Sequence, residues 1–232
     1  MKTGRPFLDR TLWPAALLLV AVFFLFERTS LDLRIQDRFY DFTTHAWWVS
    51  ARSTLPRVLF YTGPKVLIIA FAFGLLMLVL GPAHWRTRWS LRRRDLGVVL
   101  AVLASGPALI AVGKATTDVY FPSQIRRYGG EMPYVRVLES YPEGDRPAKR
   151  GRGFPAGHAS GGFALLSLAG LGRSRRSQLA GLAVGVVAGS AMGGYQILKG
   201  AHYLSHTIVT ALVCWLLFLM WRRVFKADRE QT

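Results

Sequence analysis

Six long stretches of this chain carry almost no charge. Each has roughly the length a helix needs to cross a bilayer, about 20 residues or somewhat fewer. They cover residues 11–26, 58–85, 96–113, 156–172, 177–198 and 203–221. A segment in hydrocarbon must satisfy its own backbone, so such stretches fold as helices. The sequence therefore predicts an all-α polytopic membrane protein. It is read as a single membrane domain, residues 1–232, built as a six-transmembrane-helix bundle. Starting the second span at Val58 keeps Lys65 close to the interface. The first span ends in Phe26-Glu27-Arg28-Thr29-Ser30 with no small-x-small cleavage pattern, so it reads as retained rather than as a signal peptide.

The formal net charge is +17. In a soluble chain that would suggest nucleic acid. Here the basic residues cluster instead between spans. Arg86, Arg88, Arg92, Arg93 and Arg94 share one short loop, and Arg173, Arg175 and Arg176 share another. Lys2, Arg5 and Arg10 precede the first span, while Arg222, Arg223, Lys226 and Arg229 follow the last. By the positive-inside rule both termini and both loops are cytoplasmic. The partner implied is the lipid bilayer, and not nucleic acid. Residues 27–57 and 114–155 then lie outside. Cys214 is alone within a span and says nothing about redox compartment.

Three further features organise the bundle. Gly181, Gly185, Gly189 and Gly193 recur every fourth residue, a stripe that lets a neighbouring helix approach closely. A helix starting near Ser30, with Leu31, Ile35, Phe39 and Phe42 on one face, is expected to lie on the outer surface as support. The loop from Lys114 to Arg152 is broken by Pro122, Gly129-Gly130, Pro133, Pro142 and Pro147. It is either a solvated connection or a lid over the histidines.

Three of the five histidines sit at the external mouths of spans. Pro155 is placed to open a helix. That would leave the N–H groups of Ala156, Gly157 and His158 free as an anion site. His158 beside it has the chemistry to protonate a leaving oxygen. A neutral His202 is a competent nucleophile toward phosphorus. His206, one turn on, is a candidate to fix its tautomer, and Lys114 is placed to neutralise phosphate oxygens. Neither a carboxylate cluster nor a cysteine set of metal-site type is present, so no metal and no cofactor are expected.

Taken together, these motifs resemble the type 2 phosphatidic acid phosphatase family, lipid phosphatases related to vanadium haloperoxidases. The family's pattern is Lys-x6-Arg-Pro, Pro-Ser-Gly-His and Ser-Arg-x5-His-x3-Asp. The matching segments are Lys114 to Phe121-Pro122, Pro155-Ala156-Gly157-His158, and Tyr195-Gln196 through His202 to His206. Tyr128-Gly-Gly-Glu-Met-Pro-Tyr134 and Gly-Ala-His-Tyr-Leu-Ser-His look like a membrane-associated bacterial branch, which implies a bacterial inner (plasma) membrane with the outer segments and the site on its periplasmic side. The resemblance implies His202 as nucleophile, His158 as general acid, and Lys114 with the Gly157 N–H as phosphate holders. Phe121, Ala156, Tyr195, Gln196 and His206 depart from the pattern. Ala156 still offers its N–H, and Gln196 a hydrogen bond. Lys199 and Arg126 or Arg127 are candidates to replace the missing arginines, and Asp118 or Glu131 to replace the missing carboxylate.

The expected function is an integral membrane lipid phosphatase acting through a phosphohistidine at the outer face. Its substrate would be a membrane lipid phosphate or pyrophosphate of the undecaprenyl pyrophosphate, lipid A or phosphatidylglycerol phosphate type. A lipid phosphotransferase and a non-catalytic lipid-phosphate binder are the alternatives. The sequence leaves oligomeric state open.

Overall fold

The computed structural model describes residues 11–227. The basic residues expected at 2, 5, 10 and 229 lie outside that range. Most of the chain is helical, the long segment between Thr116 and Gly157 excepted. α1 spans Leu12–Arg28 and α2 Leu31–Gln36. A two-residue hairpin follows, β1 (Tyr40–Asp41) paired antiparallel with β2 (Ala46–Trp47). Then come α3 (Thr54–Leu80), α4 (Ala83–Arg88), α5 (Arg93–Thr116), α6 (Gly157–Ala164), α7 (Arg175–Leu198) and α8 (Leu204–Ala227).

Among the described residues, four helices are long and apolar enough to cross a membrane: α3, α5, α7 and α8. The protein is thus an all-α membrane protein. α1, at 17 residues, is slightly shorter. The stretch expected as a fourth span, 156–172, is divided. α6 gives way after eight residues to a 3₁₀ run, Leu165–Gly170. Gly161, Gly162 and Gly170 weaken its helix propensity, and close packing replaces it. A Cβ on Gly185 of α7 would fall 2.3 Å from the Leu166 nitrogen. The glycine stripe therefore packs within the chain. α6 and its 3₁₀ extension form the centre, enclosed by α5, α7 and α8.

α3 ends at Leu80 rather than at 85, because Gly81 and Pro82 break it. Arg86 on α4 then turns back and donates to the Leu78 and Gly81 carbonyls at 2.8 Å each, capping the α3 terminus. The outer face of α3 is apolar and exposed at Val66, Leu67, Ile69 and Phe73, as a lipid-facing helix requires.

The outer segments pack together over one end of the bundle. Tyr40, Tyr120, Ile125, Tyr128 and Tyr203 form a buried cluster with Trp47 and Tyr134 against it. α2 differs from its expected role. Its helix stops at Gln36, and the residues it buries are Asp32 and Gln36. Asp32 accepts the Ser205 N–H at 3.0 Å and the Ser205 hydroxyl. Gln36 donates to the Ile197 carbonyl at 2.9 Å. α2 thus clamps the end of α7 to the start of α8.

Candidate active site

The turn between α7 and α8 is fixed before its histidine is placed. Gly200 has φ of 70°, a conformation that side chains disfavour. A Cβ there would also meet the Trp47 ring at 2.4 Å. The Gln196 carbonyl accepts from the Ala201 N–H at 2.8 Å and the His202 N–H at 3.3 Å. The loop reaches in through the Ser123 N–H, which donates to the Gly200 carbonyl at 2.9 Å.

His202 is fully buried in this turn. Its Nε2 lies 3.1 Å from His158 Nδ1, and its Nδ1 lies 3.4 Å from His206 Nδ1. Three imidazoles thus form a continuous chain. Aromatic edges pack around it: Tyr61 on His158 at 4.9 Å, Phe121 on His202 at 5.3 Å, and Phe154 on His206 at 5.1 Å. Burial first, then the neighbouring His206, His158 and Lys114, holds the His202 ring well below the ordinary histidine range. A neutral ring keeps a lone pair for attack.

His158 opens onto a cavity of about 440 Å³, lined also by Gly157, Lys114, Lys65 and Tyr61. A Cβ on Gly157 would lie 3.6 Å from Lys114 Nζ, so Lys114 sits directly over that backbone. A third lysine, Lys199, caps the end of α7 just before His202. Among the described residues no carboxylate lies within salt-bridge distance of these lysines. Each ammonium faces an aromatic ring instead: Lys114 over Phe121 at 5.4 Å, Lys199 over Tyr195 at 4.6 Å, Lys65 over Tyr61 at 6.0 Å.

Of the expected site residues, His158, His202, His206, Lys114 and Gly157 converge. Others do not join them. Pro155 precedes the helix, whose N-cap is Ala156. The Ala156 N–H is not free: it donates to the His206 carbonyl at 3.2 Å. Arg126 is held by a bidentate pair with Asp145. Arg127 grips Asp37 at 2.8 and 2.7 Å, which holds that carboxyl below its usual range. Both guanidiniums are committed to carboxylates on the outer surface. Asp118 accepts from the Gly151 N–H at 2.6 Å, and the Glu131 carbonyl accepts from Arg126 at 3.1 Å. The Gln196 side chain is buried with both amide atoms unpartnered. Sequence reasoning missed Tyr61 and Asp32 and took Lys65 as merely interfacial. The spacing of Tyr61, Lys65, Ile68, Ile69 and Ala72, one stripe of a helix, was the available signal.

Residues 95–230 match the sequence profile of the PAP2 superfamily. The chain belongs to the PAP2 superfamily. Neither a curated protein nor a solved structure gives a significant match. PAP2 membership together with apolar helices supports phosphatase-type chemistry on a membrane lipid phosphate in general.

Proposed function

We propose that this PAP2 protein removes phosphate from a lipid phosphate or pyrophosphate through a phosphohistidine on His202. The observation that carries the reading is the His158–His202–His206 chain set beside three lysines that have no carboxylate partner among the described residues. In this proposal His202 Nε2 attacks phosphorus, and His158 protonates the leaving oxygen. His206 orients the attacking ring from behind. Lys114, the Gly157 N–H and Lys199 hold the phosphoryl oxygens as charge shifts. His202 Nε2 is in contact with His158, so attack requires the two rings to part and admit the phosphoryl group. Water then cleaves the phosphohistidine.

The cavity supports a lipid rather than a soluble substrate. Below Lys114 and His158 it is walled by Ile68, Ile69, Ala72, Leu103, Pro107 and Met192, an apolar channel beside the lipid-facing helix α3. Candidate lipids are of the undecaprenyl pyrophosphate, lipid A and phosphatidylglycerol phosphate types. We place the protein in a bacterial plasma membrane with six spans, cytoplasmic termini and the site on the periplasmic face, on the charge bias of the short loops. The complete burial of His202 favours one second reading, a lipid-phosphate binder without turnover.

Released phosphate, measured in detergent over a panel of lipid phosphates for the protein and its His202→Ala variant, tests the proposal. The expected result is release that the variant loses. Equal release from both sinks the nucleophile assignment. Binding without release from any lipid establishes the binder.

A further inference from the structure

Lys65 has no place in the three motifs, yet it lines the same cavity as His158 and Lys114. The α3 residues on that wall are Tyr61, Lys65, Ile68, Ile69 and Ala72, a single helical stripe. Opposite, α5 contributes Lys114, Pro107 and Leu103. Both stripes run from polar to apolar in one direction. Tyr61 packs on His158. Lys65 follows one turn deeper, about 6 Å along the axis, before the apolar wall begins. The backbone is adjusted just here. Residues Val58–Thr62 form a π turn, a feature that recurs at functional sites. Gly63 permits it, since a Cβ there would lie 2.7 Å from the Val58 carbonyl.

We infer that Lys65 binds the leaving-group phosphate of a lipid diphosphate and makes the site selective for diphosphates over monophosphates. The inference rests on the phosphatase reading. With the reacting phosphorus at Lys114 and Gly157 and the hydrocarbon along Ile68, Ile69, Leu103 and Pro107, Lys65 lies between them. That is where the second phosphate of a diphosphate must sit. Attack by His202 Nε2 forms the N–P bond and breaks the bond from the terminal phosphorus to the bridging oxygen. The lipid monophosphate departs with the proton from His158, and its negative charge meets Lys65. Water then releases inorganic phosphate and restores His202. When the substrate is a lipid monophosphate, the leaving group is a neutral alcohol protonated by His158, which gives Lys65 no anion to hold.

The test uses the full-length protein in detergent, with a prenyl diphosphate and the prenyl monophosphate of the same chain length. Lys65→Met should lower kcat/KM for the diphosphate about tenfold more than for the monophosphate, the scale of one charge-assisted contact. Lys65→Arg should restore the ratio. Equal losses on both substrates, or no loss on either, overturn the role of Lys65 and leave the phosphatase reading intact. A calorimetric titration with a methylene-bridged prenyl diphosphonate and the matching monophosphonate separates the two claims. If the wild type hydrolyses neither lipid, the phosphatase reading fails. Tighter diphosphonate binding that Lys65→Met abolishes still supports the Lys65 contact, and equal binding of both ligands to both proteins removes it.

Discussion

The two halves of this molecule contribute to the site in different ways. The half that matches the PAP2 superfamily, residues 95–230, carries all three histidines together with Lys114 and Lys199. The half before it carries none of these three histidines, yet it closes the site. Asp32 and Gln36 tie down the α7–α8 turn, Trp47 covers Gly200, and Tyr61 and Lys65 form a wall of the cavity. The C-terminal half thus holds the candidate chemistry. The N-terminal half holds it in place and shapes what enters. Variants in the two halves should fail differently, the first in turnover and the second in stability or selectivity.

The largest effect belongs to the C-terminal half. His206→Ala should lower kcat about 10- to 100-fold with little change in KM, the scale seen when an orienting partner is removed. A steady-state comparison in detergent reads this directly. A rise in KM with unchanged kcat would place His206 in binding instead.

Asp32 gives the intermediate effect, through stability. Burial dominates and raises its carboxyl from 3.8 to about 6. The folded state therefore holds the proton more tightly than the unfolded chain. That contribution is present below about pH 4 and is lost as pH rises through about 6. The size expected is up to ~3 kcal/mol. Asp32→Asn should flatten this pH dependence of the thermal midpoint between pH 4 and 7. An unchanged slope would mean that Asp32 is not the group responsible.

The smallest effect is expected at the seam between the halves. Arg127→Ala breaks the pair with Asp37, an exposed contact worth about 0–1 kcal/mol. Phosphate release should change little, since the guanidinium is committed to Asp37 and does not line the cavity. A hundredfold loss of activity would return Arg127 to the phosphate clamp.

What the sequence made legible follows the same division. The apolar runs made the helical membrane fold readable, and the motif spacing singled out His158, His202, His206 and Lys114. Residues that act through packing were hidden. Asp32 looked like the polar face of a surface helix, but the helix docks with that face inward. Lys65 looked like a lysine at a span's edge, and only the placement of α3 beside α6 puts it near His158. Arg126 and Arg127 had the charge a phosphate clamp needs, in the segment expected outside. Their partners, Asp145 and Asp37, lie 19 and 90 residues away, beyond any local pattern.

The central claim is that the phosphoryl group passes through His202. Rapid quenching of turnover with a lipid phosphate labelled at its terminal phosphorus, followed by peptide mass spectrometry, tests it most directly. The account predicts an acid-labile, alkali-stable label on His202 that is absent from His202→Ala. Label on His158 instead, or wild-type phosphate release with no label on any histidine, would contradict it.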